Sequence, residues 1–190
     1  MSTSIDPTVP DAQVSLLGRD DTQTVDAHGR PAAARGIEGV ELRQVRSHID
    51  QRGSLSEVIN FSDPFWREPI VYSYSITVNP GRIKGWGMHL RQVDRHYVHC
   101  GLVRLVLFDA RQDSPTHGNI QQISLGDEAR GAVRIPTGVW HAVQAFGTQP
   151  AHITNFPTIP YDHANPDKQI LPIDTELIPF RFDDLDDYGR

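Results

Sequence analysis

Apolar and polar side chains alternate most cleanly over 70–78, where Ile70, Tyr72, Tyr74, Ile76 and Val78 fall on one side and Ser73, Ser75 and Thr77 on the other. A period of two marks a strand with one buried face, so this segment is predicted as such a strand, ended by the turn Asn79-Pro80-Gly81. Shorter strands are predicted over 97–100, 102–109, 120–124, 132–135, 142–146 and 151–156, with the one over 102–109 again burying a single face. Turn signals separate them at Ser114-Pro115-Thr116-His117-Gly118, Leu125-Gly126-Asp127, Pro136-Thr137-Gly138 and Gly147-Thr148-Gln149-Pro150. Upstream, 40–45 reads as a first strand, Asp50-Gln51-Arg52-Gly53 as a turn and Leu55 with Val58 as the start of another strand. Asp63-Pro64-Phe65-Trp66 reads as a loop or a single helical turn. No stretch has helical amphipathicity of real length. That excludes a Rossmann layout and leaves an all-β sandwich, jelly roll or barrel.

The two ends break this pattern. Residues 1–36 are polar and punctuated by Pro, Ala and Gly, which predicts a flexible arm or one pinned to a partner. The domain proper is expected over 37–180, irregular from Pro157 onward and wrapping the outside, and 181–190 is an acidic tail containing Asp183-Asp184-Leu185-Asp186-Asp187. A chain of 190 residues suits one domain with an arm, and a net charge of −6 with scattered Lys and Arg argues against a nucleic-acid surface. Cys100 is the only cysteine, so no intrachain disulfide can form and a reducing compartment is expected. The N-terminal sequence lacks the features of a secretory signal, and no apolar run is long enough to span a membrane. A cytoplasmic location is the expectation.

Chemistry concentrates in two stretches. Over 85–111, a turn-like Gly85-Trp86-Gly87 delivers His89 ahead of a dense strand ending in Asp109-Ala110-Arg111. Over 134–141, Pro136-Thr137-Gly138 precedes Trp140 and His141. Two histidines on two strand–turn units point to a pocket, and imidazole titrates where a base near neutral pH should. His96 and His99, three apart on a strand, must face opposite ways. Gln92, Asp94 and Glu57 are further polar candidates, Trp86 and Trp140 candidate walls, and Arg52, Arg82 and Lys84 candidate diphosphate contacts.

Five patterns, in order, resemble those of the dTDP-4-dehydrorhamnose 3,5-epimerase family: Asp50-Gln51-Arg52-Gly53, Gly87-Met88-His89, Asp109-Ala110-Arg111, Ser114-Pro115-Thr116-His117-Gly118, and Ile135-Pro136-Thr137-Gly138-Val139-Trp140-His141. The resemblance covers about 40–180 and implies a cupin-type double-stranded β-helix, a jelly roll. It also implies a homodimer exchanging N-terminal strands and a small-molecule substrate, a nucleotide-linked keto-deoxysugar. In that family a histidine removes the proton beside a sugar ketone, an aspartate holds that histidine and a tyrosine returns a proton. By resemblance His89 is the base, Asp174 the orienting aspartate, Arg52 a diphosphate contact and His141 a second pocket histidine. Trp86 replaces the family's arginine, Asp94 its lysine, and Asn155 or Thr154 its tyrosine, so Tyr161 becomes the nearest phenol. The candidate set is therefore catalytic His89, Asp174 and Tyr161, with Arg52, Trp86, His141 and Asn155 binding substrate. Pairing of strand 40–45 with another subunit is a separate reason to expect a dimer.

Metal-binding cupins use His-x-His followed by a glutamate; here Leu90-Arg91 follow His89 and that glutamate is missing, so neither metal nor other cofactor is expected. Three readings stand: a sugar-nucleotide epimerase or isomerase, a non-catalytic cupin binding a small ligand, and a metal-dependent cupin resting on His141 with His89 or His96.

Overall fold

A computed structural model describes residues 36–182, and among them it places twelve strands and one turn of 3-10 helix. The strands are β1 (Glu41–Gln44), β2 (Ser47–Asp50), β3 (Gly53–Ser56), β4 (Tyr74–Val78), β5 (Ile83–Met88) and β6 (Asp94–Cys100). They continue as β7 (Val103–Asp109), β8 (Ile120–Leu125), β9 (Gly131–Ile135), β10 (Val139–Ala145), β11 (Ala151–Asn155) and β12 (Gln169–Ile170). The expected arm lies outside the described residues except for Gly36, and so does the acidic tail after Phe182.

Two five-stranded antiparallel sheets, β1-β9-β6-β11-β4 and β12-β5-β10-β7-β8, pack face to face, and β2 with β3 forms a separate hairpin. This is the all-β jelly roll that the alternation and the motifs called for. Val78, Val98, Val133 and Ile153 from the first sheet meet Leu105, Leu107, Ile123 and Val143 from the second in the main core. Because side chains alternate along a strand, each inner-facing register ties a core residue to a site residue two positions away. Val98 thus leads back to His96 and Asp94, Ile153 on to Asn155, and Val143 back to His141.

Three differences from the sequence reading have physical causes. The strand expected over 70–78 begins only at Tyr74, because Tyr74 is paired with Asn155, the last residue of its neighbour β11. Ile70 packs instead beside the cluster of Phe65, Trp66 and Tyr97. The strand expected over 102–109 is buried on both faces: the C-terminal segment lays Ile178 and Phe182 over the outward-facing Val106 and Trp86. Finally, β1 pairs with β9 of its own chain, Glu41 against Arg134 through Gln44 against Gly131. Its backbone therefore needs no other subunit on that side.

Asp109, matched above as part of a motif, is a structural clamp. Its fully buried carboxylate accepts hydrogen bonds from the Arg111 guanidinium at 2.8 Å and from the hydroxyls of Ser114 and Thr116 at 2.6 Å each. Burial works to raise this carboxyl, but the Arg111, Ser114 and Thr116 contacts hold it far below the ordinary aspartate range. Arg111 also reaches the Glu38 carbonyl at 2.7 Å, tying the loop after β7 to the start of the described chain.

Candidate active site

The close approach of β5 to β10 sets the geometry. Gly85 has φ +143°, and a Cβ there would stand 2.5 Å from that of Ala142, so only glycine fits. Gly85, Gly87 and, just beyond the strand, His89 face the interior, whereas Trp86 points outward. The turn before β10 secures this: the Gly138 N–H donates to the His89 carbonyl at 2.8 Å. β10 places His141 opposite Gly87. The facing sheet supplies Asp94 and His96 from β6, Asn155 from β11 and Tyr74 from β4. Tyr74, His89, His96 and His141 line a cavity of about 330 Å³ together with Lys84 and Lys168, while Asp94 and Asn155 are buried and in contact with its lining residues.

Asp94 is the centre, its side chain 2% exposed. Its Oδ1 accepts from Gln92 Nε2 at 2.5 Å and from Asn155 Nδ2 at 2.7 Å. Asn155 also donates to Tyr74 Oη at 2.9 Å, and its Oδ1 accepts the Arg95 N–H at 3.0 Å. Among the described residues the other oxygen, Oδ2, has no hydrogen-bond partner, and it faces three imidazoles: His89 Nε2 at 3.4 Å, His141 Nε2 at 3.5 Å and His96 Nε2 at 3.8 Å. The Nδ1 atoms of His89 and His141 turn to the main-chain carbonyls of Asp167 and Val139, so each ring donates there and keeps its lone pair on Nε2. The Asp167 carboxylate in turn accepts the N–H groups of Leu90, Arg91 and Gln92 at 2.8–3.1 Å, fixing the loop that follows His89.

Burial pushes His141 down to about 4 and lowers His96 as well, with Asp94 opposing the shift in each case, so both rings are neutral at pH 7. Burial works to raise Asp94, yet the surrounding imidazoles and the Asn155 amide hold it below its ordinary value, as a carboxylate. Tyr74 is pushed up to about 12 by burial and then by the Asp94 charge, which keeps its phenol protonated. A histidine whose pKa falls on folding stabilises the fold above its unfolded value and loses that contribution as pH drops through the window. Between the ordinary 6.5 and about 4 the unfolded chain binds the extra proton, so stability should fall with pH there. Urea midpoints measured across this range in EDTA-containing buffer should show the decline, flattened in His141→Gln.

The structure brings together only part of the candidate set. His89 and His141 line the cavity, and Asn155 is a buried support that holds Tyr74 and Asp94. Trp86 does not: it packs on Phe180 and Phe182 on the outer side of its sheet, because residues 85, 87 and 89 share the inner side. Asp174 is exposed and forms no hydrogen bond or ion pair with His89; its carbonyl accepts from Arg181. The groups beside His89 are Asp94 and the Asp167 carbonyl instead. Tyr161 is exposed and meets His163 edge to face, and the phenol in the cavity is Tyr74. Arg52 sits at the β2–β3 turn paired with Asp50, along a different concavity. Tyr74 was legible as an inward position, four residues from the core valine Val78 on the same strand, whereas His96 lay before the strand read over 97–100.

The profile of the family described as dTDP-4-dehydrorhamnose 3,5-epimerase matches residues 34–178. The probable low-salt glycan biosynthesis epimerase Agl13 of Haloferax volcanii is 35% identical over 140 residues, 73% of this chain and 89% of its own. The spore coat polysaccharide biosynthesis protein SpsL of Bacillus subtilis is 31% identical over 150 residues, 77% of this chain and 96% of its own. A crystal structure of a dTDP sugar isomerase from Desulfovibrio desulfuricans G20 superposes with a TM-score of 0.74 at 29% identity, covering 81% of this chain and 97% of that one.

Proposed function

The chain belongs to the dTDP-4-dehydrorhamnose 3,5-epimerase family, and on that premise we propose that it epimerises a nucleotide-linked keto-deoxysugar, His89 removing the proton beside the ketone. The observation that carries this reading is the His89 imidazole in the cavity wall, its Nδ1 turned to a main-chain carbonyl and its Nε2 left to accept, hydrogen-bonded there only by the Gln92 amide at 3.4 Å among the described residues. Its ring is oriented by the Asp167 carbonyl, and Asp94 stands 3.4 Å away to stabilise the imidazolium that forms. Asp94 thereby takes the role that resemblance assigned to Asp174. Tyr74, protonated and held by Asn155, comes from the opposite sheet and supplies a proton to the other face of the flat enolate. Inversion requires that two-sided arrangement. Lys84 and Lys168 line the same cavity and suit the diphosphate of a nucleotide-linked sugar.

Solvent deuterium exchange into a panel of nucleotide-linked 4-keto-6-deoxysugars tests the reading. Incorporation beside the ketone supports it. A cavity that binds these compounds without exchange would instead make the protein a binding module.

The same reading includes a homodimer, now resting on the hairpin. Ile49 is 80% and Leu55 67% exposed on β2 and β3, beside Arg52, and such apolar side chains are well placed to be covered by a second copy. Sedimentation at micromolar concentration should give twice the chain mass, and a monomer would remove this part of the proposal. Among the described residues no helix is long and apolar enough to cross a membrane.

A further inference from the structure

We propose that His89 Nε2, His141 Nε2 and Asp94 Oδ2 bind one first-row divalent cation, and that a cation there shuts off proton abstraction. These three residues offer donor atoms that all lie within 4.8 Å of one another. Around Asp94 Oδ2 the His89 and His141 nitrogens stand at 3.4 and 3.5 Å. Those separations are too long for N–H···O bonds. They match the edge of a coordination polyhedron instead, since tetrahedral ligands about 2.0–2.1 Å from a metal lie roughly 3.4 Å apart.

Two supporting contacts point the same way. Asp94 is fixed through Oδ1 by Gln92 and Asn155, while the buried Oδ2 has no partner among the described residues, as a carboxylate would that offers one oxygen to an ion. Both His89 and His141 give Nδ1 to a backbone carbonyl, the outer contact that holds a ligating imidazole with Nε2 toward its metal. Imidazole nitrogens with a single carboxylate suit zinc and its first-row neighbours; calcium and magnesium take oxygen donors. The donors come from β10 and the end of β5 on one sheet and from β6 on the other, so an ion would bridge the two sheets.

The inhibitory half rests on the reading of His89 as the base. Its Nε2 carries one lone pair, and a lone pair given to a cation cannot accept a substrate proton.

The test is a titration of the full-length, EDTA-treated protein with cobalt(II) chloride, read by visible ligand-field absorption. Saturation at one equivalent, the intense bands of a low-coordinate ion and displacement by zinc are expected. Asp94→Asn and His141→Gln, each checked for native near-UV circular dichroism, should each weaken binding by at least about 10–100-fold. In the deuterium-exchange assay, zinc should suppress incorporation and EDTA restore it. A spectrum no different from aqueous cobalt, or equal titrations of wild type and both variants, overturns the site. Cobalt bound with exchange unaffected, or exchange that depends on it, overturns the exclusion. If the metal-free protein exchanges no keto-sugar, the epimerase reading fails on its own, and the cobalt titration still decides the site.

Discussion

His89→Ala is expected to slow deuterium incorporation beside the substrate ketone by about 10²–10⁴-fold while leaving the fold intact. The loss should not be recovered by raising substrate concentration, because the group acts on the proton and not on binding. The carboxylate that assists it is identified by a pair of variants. Asp94→Asn should approach the His89 defect, since the amide cannot stabilise an imidazolium 3.4 Å away, whereas Asp174→Asn should change little because Asp174 is exposed and makes no contact with the ring. Tyr74→Phe separates the two halves of the reaction: the proton still comes off and exchanges, but inverted product forms more slowly. Tyr161→Phe should be close to neutral. An enzyme whose exchange survived His89→Ala would place the chemistry elsewhere in the fold.

The second large effect concerns stability. Asp109→Ala removes the acceptor of the Arg111 guanidinium and of the Ser114 and Thr116 hydroxyls, from a position with no exposed surface. Because Arg111 is 26% exposed and keeps the Glu38 carbonyl, the loss of these charge-assisted bonds should cost about 1.5–3 kcal/mol, measurable as a lower urea midpoint at unchanged slope. Ser114→Ala or Thr116→Val alone should cost only about 1 kcal/mol, because each leaves the carboxylate its other donors. The same change should leave the site's exchange chemistry untouched in whatever protein remains folded.

This clamp also shows how a motif can be recognised without its role. Asp109-Ala110-Arg111 and Ser114-Pro115-Thr116 stood out in the sequence beside Gly87-Met88-His89, yet one group holds a loop and the other lines the cavity. Only the direction in which Asp109 points, into a nest of its own neighbours, separates them.

What the sequence by itself determined is what depends on local period. Alternation of apolar and polar residues specified strands, turn residues their ends, and the absence of helical periodicity the all-β class. The glycine-led approaches to His89 and His141 marked the pocket. The direction of Trp86 was not among these: Gly85-Trp86-Gly87 read as a turn, and only the structure places it in β5 with Gly85 and Gly87 on the inner side and Trp86 on the outer. Tertiary structure decided everything that depends on a partner strand. Asp94 and His96 became inner-facing neighbours because β6 is paired with β9 from Asp94 onward and with β11 at His96, which no property of 94–96 alone requires. Asp174 and Tyr161 lie in the irregular segment after Pro157, where no period constrains the direction of a side chain and position is set only by packing on distant residues. The convergence of three imidazoles on one carboxylate oxygen comes from three separate stretches of chain, and it exists only because the two sheets close face to face.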